Sequence, residues 1–323
     1  MKIKHTKYLQ LLGLVLFIYL LWKIDAYKAL ESIKNFSLIW FVLYAVCYLI
    51  MVLTKSYRWK TLLHDQNINY SFKKVLKINI TSNFWGAITP GRLGEFIKLD
   101  FLVKDNVPIV KGILNIIIDR TFDVIMLFFF SFISFIYFGK IFYVETKGLI
   151  LIFITLLIIL SVAVFLRKGF KNFVKIFLKQ LLPINRYKLV NDNWKLFIKE
   201  FKEIHYKTFI KMIFQSLLIY FLFFLMTFIV AIGFKVRISF IYLSLCVSIS
   251  SLISLLPISV GGVGTREALF ILLLGKISIS KETALLIAFF DSTILGNFMA
   301  VIFILILKIF LQYKKRMSVN IES

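Results

Sequence analysis

Long apolar runs separated by short lysine-rich segments dominate the chain. The runs are continuous rather than alternating, and several exceed the ~18 nearly uncharged residues that a helix needs to cross a bilayer. The pattern predicts an all-α, polytopic helical membrane protein with about eight transmembrane helices in a single membrane domain, residues 1–323. The predicted spans are Leu9–Trp22, Leu38–Thr54, Gly112–Phe138, Leu149–Leu166, Phe209–Phe234, Ile238–Leu256, Ile258–Leu274 and Glu282–Phe310.

The composition and the charge distribution support a membrane location. Hydrophobic residues make up 60% of the chain, against about 45–50% in soluble domains. The formal net charge of +24 would suggest nucleic acid for a soluble protein. With an inside N-terminus, however, the inside segments hold 27 Lys and Arg and the outside loops hold 9, as the positive-inside rule requires. We therefore expect a multi-pass protein of the cell (cytoplasmic) membrane, with both termini cytoplasmic and no nucleic-acid partner.

Residues 78–103 interrupt the apolar pattern with helix breakers and charges. Because this stretch begins and ends on the predicted cytoplasmic side, the simplest path is a re-entrant helical hairpin that turns at TPGRLG. Non-helical backbone survives at membrane depth only inside protein or beside water. The turn is therefore expected to line a cavity. The interrupting residues are Pro90, Gly91, Arg92, Gly94 and Glu95.

A second interrupted stretch, a broken helix hairpin at residues 238–275, repeats the order of the first. A proline, a glycine-x-x-glycine spacing and an Arg–Glu pair are followed by an apolar helix, but the stretch begins and ends outside. Two broken elements from opposite faces are what inverted repeats in transporters produce, and their helix N-termini attract anions such as phosphate. The alternative is a close helix-packing seam. The residues are Pro257, Gly261, Gly262, Gly264, Arg266 and Glu267.

Further charges lie inside predicted helices. Asp119 and Asp123 are four residues apart and share one helix face, and Asp291 is an isolated acid. Each unpaired charge at the bilayer centre costs ~2.5–3.5 kcal/mol, so these side chains should face the bundle interior. We expect the arginines and acids to neutralise one another until a phosphate ligand competes for the arginines; the alternative is a static network that locks helices together. The two sets are Arg92, Arg120 and Arg266, and Glu95, Asp119, Asp123, Glu267 and Asp291.

The sequence gives little support to catalysis or to a bound metal. Cys47 and Cys246 lie inside apolar runs, and the histidines fall in basic flanking segments, so we expect no disulfide framework and no metal site. No Ser/His/Asp grouping can be assembled at membrane depth, and we predict neither enzyme activity nor a cofactor. The cytoplasmic basic loop 167–208 mixes lysines with apolar residues at helical spacing, which predicts interfacial amphipathic helices against anionic lipid.

At its broken segments the chain resembles the transmembrane flippase-like domain of the lysylphosphatidylglycerol synthase family. The motifs are ITPGRLGE at Ile88–Glu95, DRTFD at Asp119–Asp123 and PISVGGVGTRE at Pro257–Glu267. The resemblance covers nearly the whole chain and implies an eight-helix-plus-hairpin domain that moves a polar lipid across the bilayer. A cytoplasmic aminoacyl-transferase domain follows in two-domain members; this chain stops near Ser323, so synthase activity is not implied. Relatives tend to show an Arg in the last helix, where this chain has Asp291.

These observations lead to one functional hypothesis and two alternatives. The first is a flippase for a phospholipid or a lipid-linked polar head group, in which the mirrored hairpins form a central polar cavity. Its partners would be anionic or phosphate-bearing membrane lipids and a lipid- or glycan-modifying enzyme. The alternatives are a small-solute transporter and a non-transporting scaffold for a lipid or glycan biosynthetic enzyme. The candidate binding residues are Arg92, Glu95, Asp119, Arg120, Asp123, Arg266 and Glu267.

Overall fold

The computed structural model describes residues 36–89, 94–141, 194–254 and 262–306, together with Tyr19 and Trp22. These ranges are helical and contain no strand, so the predicted all-α class is confirmed. The last helix, α9, begins at Lys281, is π-helical from Phe290 to Leu295, and then continues as α-helix to Ile306. The others are α1 (Leu38–Asp65), α2 (Phe72–Ile88), α3 (Ile97–Lys104), α4 (Ile109–Ile141), α5 (Trp194–Lys202), α6 (Tyr206–Gly233), α7 (Phe240–Ser254) and α8 (Thr265–Leu274).

Four of these helices, α1, α4, α6 and α9, have the length and composition of membrane spans. By contrast, α7 has 15 residues and α8 has 10. At 1.5 Å per residue each falls short of a hydrocarbon core of about 30 Å. These two helices lie within the predicted crossings Ile238–Leu256 and Ile258–Leu274, residues 255–261 lie outside the described ranges, and the count of eight spans stays a prediction. The predicted spans 9–22 and 149–166 lie outside the described residues, apart from Tyr19 and Trp22.

The helices form two units with the same order of elements. Unit A comprises α1–α4, residues 38–141, and unit B comprises α6–α9, residues 206–306. Each unit begins with a helix of 28 residues, continues with two short helices that pack on each other, and ends with a long helix. The described part of the chain therefore contains an internal repeat, in which α2 and α3 correspond to α7 and α8.

Four helix ends close with the same Schellman motif, two in each unit. After α1, Asn67 adopts a φ of 59°, and the Ile68 N–H donates to the Leu63 carbonyl at 2.9 Å. After α6, Lys235 also adopts a φ of 59°, and the Val236 N–H donates to the Ala231 carbonyl at 3.0 Å. Non-glycine residues adopt a left-handed conformation only rarely, so its recurrence at corresponding places supports the repeat. The left-handed residues are Asn67, Asn106, Lys235 and Ser278.

The first helices of the two units, α1 and α6, pack against each other in opposite directions. Asp65 at the end of α1 accepts a hydrogen bond from the His205 N–H just before α6, at 2.8 Å. At the other end, the Phe36 ring precedes α1 and lies against Gly233, the last residue of α6. The two units therefore have opposite orientations, and the predicted inverted repeat is present.

The two interrupted segments contain pairs of short helices separated by a break. In unit A, α2 begins at Phe72, six residues before the predicted element, and α3 begins at Ile97. Residues 90–93 of the first break and 255–261 of the second lie outside the described ranges. These gaps include the predicted helix breakers Pro90, Gly91, Pro257 and Gly261. Entry of either pair of helices into the bilayer stays a prediction.

Buried serines join the two units along the contact between α4 and α7. Ser131 donates to the Ser248 carbonyl at 2.9 Å, and the Ser134 and Ser248 hydroxyl oxygens lie 2.6 Å apart. All three side chains are fully buried. Small residues allow helices in a membrane to approach closely, and their hydroxyls hydrogen-bond across the interface. We call this contact the serine seam.

The short helix α5 is the described helix of the basic loop 167–208. Its Phe197 is fully buried against the first half of α4, including Ile113, whereas Lys199 is largely exposed. Lys111 of α4 forms an ion pair with Glu200 of α5 at 3.3 Å. This part of the loop is therefore an amphipathic helix, as predicted. Its contact with anionic lipid stays a prediction.

Candidate functional site

Six charged side chains of unit A form one connected, largely buried group, which we call the central ion cluster. Successive ion pairs connect them in the order Lys98, Asp119, Arg58, Asp123, Arg120 and Glu95. These side chains come from α3, α4, α1 and the turn before α3. The three positive and three negative charges of these six side chains cancel, which lowers the cost of burying them, and the Lys55 charge also acts on Asp123. Its members are Arg58, Lys98 and Arg120, and Glu95, Asp119 and Asp123.

Arg58 of α1 lies at the centre of the cluster and is 1% exposed. Its Nη2 is 2.8 Å from Asp119 Oδ1 and 2.7 Å from Asp123 Oδ1. Its Nη1 donates to the Ser216 hydroxyl of α6 at 2.8 Å. The guanidinium therefore connects the acids of α4 to the first helix of unit B, and its fork suits such multiple contacts.

Asp119 receives a second cation from the short helix α3. Lys98 Nζ lies 2.9 Å from Asp119 Oδ2, and both side chains are nearly fully buried. The same ammonium lies 4.6 Å from the centre of the Trp59 ring, within range of a cation–π interaction. Asp119 is therefore paired on both oxygens and shielded from water.

The Arg120 end of the cluster is its most accessible part. The Arg120 guanidinium contacts Glu95 and lies 2.9 Å from Asp123 Oδ2. The Arg120 side chain is 20% exposed and that of Asp123 is 15% exposed, against 1–4% for Arg58, Lys98 and Asp119. A ligand that approaches the cluster therefore meets Arg120 and Asp123 first.

A glycine in α2 leaves room for the Glu95 side chain. A Cβ added to Gly86 would lie 2.5 Å from Glu95 Cγ and 3.1 Å from Oε1. We expect Gly86→Ala to push Glu95 away from Arg120 and to lower the free energy of unfolding by about 1–3 kcal/mol, the usual cost of overpacking. Thermal unfolding of the purified protein in detergent measures the change.

Gly275 provides the matched control for that substitution. It adopts helical backbone angles, and a Cβ there would meet no atom within 4 Å. Gly275→Ala should therefore leave the unfolding temperature unchanged or raise it slightly. Equal unfolding temperatures for the two variants would contradict the close packing of Gly86 against Glu95.

Unit B holds a second set of polar side chains around α8 and α9, buried except for the partly exposed Arg266, which we call the unit B polar group. Glu267 is fully buried and accepts a hydrogen bond from the Gly264 N–H, so it caps α8 itself. Asp291 is 5% exposed, and its Oδ2 accepts a hydrogen bond from Thr227 at 2.7 Å. The Arg266 charge acts electrostatically on Asp291. The members are Tyr44, Thr227, Arg266, Glu267 and Asp291.

The glycines at the start of α8 are required by its backbone geometry. Gly262 and Gly264 adopt φ of 83° and 88°, values that side chains rarely tolerate. The anion site expected at this helix N-terminus is partly occupied, because the carboxylate of Glu267 already accepts from the Gly264 N–H. An external anion at α8 would have to share or displace that bond.

The structure thus divides the predicted binding residues between two places. The unit A residues Glu95, Asp119, Arg120 and Asp123 belong to the central ion cluster, and Arg266 and Glu267 belong to the unit B polar group. Arg92 lies outside the described residues.

Sequence analysis missed Arg58 and Lys98, which neutralise Asp119. Arg58 was placed in a cytoplasmic loop because the predicted span ended at Thr54, but α1 continues to Asp65. Lys98 lies within the predicted re-entrant hairpin 78–103 but is not among the predicted binding residues. The signal available for Arg58 was the run VLTKSYRWKTLL, which continues the helical spacing of apolar residues past Thr54.

Cys47, Cys246 and His205 lie within the part of the chain that the structure describes. Cys47 and Cys246 are free thiols. His205 pairs with Asp65 at the end of α1, where its ring is largely exposed. In the ranges that the structure describes, no three His, Cys, Asp or Glu side chains are grouped so as to hold a metal ion.

The fold and the buried charges define a helical membrane protein with an inverted repeat and a neutral ion cluster between its helices. The lysylphosphatidylglycerol synthase TM region matches residues 9–312, and the chain belongs to that family. The UPF0104 membrane protein of Pyrococcus horikoshii is 26% identical over 326 residues, covering 90% of this chain and 95% of the relative. No solved structure matches the chain. The family predicted from the three motifs is therefore confirmed.

Proposed function

We propose that the protein is a flippase that moves a phospholipid or a lipid-linked polar head group across the cytoplasmic membrane. The observation that carries the proposal is the central ion cluster, which lies inside the helical bundle of an inverted repeat. Charges within a membrane are costly and mark the pathways of polar substrates, and inverted repeats support alternating access to such a site. The proposal contains no chemical step and no cofactor.

The head group would enter the cluster at Arg120. A phosphate there competes with Glu95 and Asp123 for the guanidinium, which binds phosphate through two parallel hydrogen bonds. A head group that also carries an ammonium would pair with the carboxylates so released. When the lipid leaves, the three cations and three acids of the cluster pair with one another again. The acyl chains stay in the hydrocarbon while the head group crosses.

The hairpins supply the remaining contacts in this proposal. Arg266 would meet the head group from the hairpin of unit B, and Arg92 from the hairpin of unit A. Anionic lipids would gather at the cytoplasmic side, where lysines of α5 and the loops are exposed. In this proposal the partner is a lipid- or glycan-modifying enzyme, and both termini lie in the cytoplasm.

Transport of labelled phospholipid between the leaflets of proteoliposomes tests the function. We expect the wild-type protein to exchange the lipid and Arg120→Gln to slow the exchange roughly 10- to 100-fold, since a charge-assisted hydrogen bond contributes about 1.5–3 kcal/mol. Arg266→Ala and Arg92→Ala should also slow it. Lys73→Gln, at an exposed lysine of α2, serves as the control with full activity.

Other outcomes of this experiment would favour the other two functions. Wild-type protein that moves a soluble anion but no lipid would be a small-solute transporter. Wild-type protein that moves neither, and that loses a bound enzyme when the loop 167–208 is deleted, would be a scaffold. Lipid exchange that is equal in wild type and Arg120→Gln would contradict the role given to the ion cluster.

A further inference from the structure

Asp291 of unit B corresponds to Asp119 of unit A. Each lies ten residues after the first residue of its unit's last helix. Each also bonds to the second half of the 28-residue helix that begins its unit, Asp119 to Arg58 and Asp291 to Thr227. The two acids are therefore counterparts in the inverted repeat, yet they have different partners.

The direct partners of Asp291 are hydroxyl groups rather than cations. Thr227 donates to its Oδ2 at 2.7 Å, and Tyr44 donates to its main-chain oxygen at 3.0 Å. Asp291 is 5% exposed, and both partner side chains are buried. An ionised carboxylate in such surroundings is costly, whereas a protonated one is not. Asp119, with two cations in contact, has no such reason to take up a proton.

The hydrogen bonds around Asp291 accommodate both protonation states. When the carboxylate is ionised, the Thr227 hydroxyl donates to it. When it is protonated, the carboxyl group can donate to the Thr227 oxygen, and the Thr227 hydroxyl can turn to the Phe223 carbonyl, 3.5 Å away. One hydroxyl rotation therefore serves both states without leaving a buried donor unused.

The backbone at Asp291 departs from a regular α-helix. Residues 290–295 form a π-helical segment, in which the Gly296 N–H donates to the Asp291 carbonyl five residues earlier. The same carbonyl accepts the Tyr44 hydroxyl. Short π-helical segments within α-helices are frequent at functional sites. This feature is independent of the side-chain partners and marks the same residue.

We propose that Asp291 is the proton site of the transport cycle, so that a pH gradient across the membrane drives the lipid. This inference rests on the proposed flippase function. Arg266 from α8 and Tyr44 from α1 are the charged and titratable groups that act on Asp291, and Glu267 and Tyr48 act in turn on those two residues. A proton on Asp291 cancels its attraction for Arg266, which lies on the hairpin helix α8. In the proposed cycle, protonation therefore weakens the attraction between α8 and α9. The position of α8 relative to α9 is then the equilibrium that a proton shifts.

Two measurements on the full chain in proteoliposomes test this inference. The first is an infrared difference spectrum recorded as the pH is lowered, in which the wild type should show a carboxylic-acid band. Asp291→Asn should lack this band, and in Thr227→Val the band should appear at a different pH. The second is the distribution of labelled phospholipid under a pH gradient. A gradient of about two pH units provides about 2.7 kcal/mol per proton, enough to shift the leaflet ratio up to about a hundredfold. Asp291→Asn should lose this shift, and Asp105→Asn, on the loop after α3, should keep it.

The two measurements distinguish failure of the proton site from failure of the flippase. A wild-type spectrum without an Asp291-dependent band would overturn the proton site. If the band is present and lipid exchanges, but the leaflet ratio does not change under a pH gradient of either direction, the coupling of lipid transport to protons is overturned. If the wild type moves no lipid at all, the flippase function is overturned, and the coupling with it. The infrared spectrum still decides in that case whether Asp291 binds a proton.

Discussion

Arg58→Met is expected to abolish lipid exchange and to lower the free energy of unfolding by about 3–5 kcal/mol, the usual effect of removing one partner from a buried ion pair. Arg58 contacts Asp119, Asp123 and Ser216 at once. Without it, three acids of the central ion cluster share two of its cations, and the hydrogen bond that joins the cluster to Ser216 of α6 is lost. Unfolding in detergent with increasing denaturant measures the stability, and the leaflet assay measures the exchange.

The interpretation of Arg58→Met depends on two comparisons. Lys73→Met removes an equal charge from the surface of α2 and should leave both measurements unchanged. The double variant Arg58→Met with Asp123→Asn restores the charge balance and should recover part of the stability, as a coupling between contacting residues requires. A loss of stability for Arg58→Met no larger than that for Lys73→Met would contradict the structure of the cluster.

Oxidation of a variant carrying Ser134→Cys and Ser248→Cys is expected to reduce lipid exchange to the level of empty vesicles. The two hydroxyl oxygens lie 2.6 Å apart, which places the side chains within reach of a disulfide. They belong to different units, because α4 ends unit A and α7 begins the hairpin of unit B. Transport by inverted repeats involves movement of one unit against the other, and the cross-link prevents that movement at the serine seam.

Native thiols have to be removed before this cross-link is formed. Cys246 lies on α7 two residues before Ser248, so the variant is built with Cys246→Ala and Cys47→Ala. Each single cysteine variant and the reduced double variant should exchange lipid at the rate of this background. Complete cross-linking with an unchanged exchange rate would show that the serine seam stays closed throughout the cycle and would rule out the proposed movement.

The sequence allowed the acids of the central ion cluster and Arg120 to be predicted, but not Arg58 and Lys98, the two cations that contact Asp119. Asp119 and Asp123 lie on one face because they are four residues apart in a helix, which is a local property. Arg58 is 61 positions from Asp119 along the chain. A pairing of that kind depends on how α1 packs against α4, and no pattern within either helix specifies it.

The inverted repeat was accessible from the sequence only in outline. Glycines and prolines marked both breaks, and the lysine distribution placed the breaks on opposite sides. The matching Schellman turns were not predicted, because Lys235 and Ser278 are not residues that usually signal a left-handed turn. The break between α7 and α8 was predicted from its glycines and proline, but an apolar run shows where a helix is favourable and not at which residue it begins or ends.

The sequence by itself determined the membrane class, the family, the positions of the two breaks and the presence of buried acids in the last helix of each unit. These properties follow from hydrophobic run length, helix breakers and residue spacing, which act within a few turns of chain. Only the tertiary structure decided which charges meet. It gave Asp119 two cations and its counterpart Asp291 two hydroxyl groups, because antiparallel packing of α1 on α6 sets which side chains face each acid.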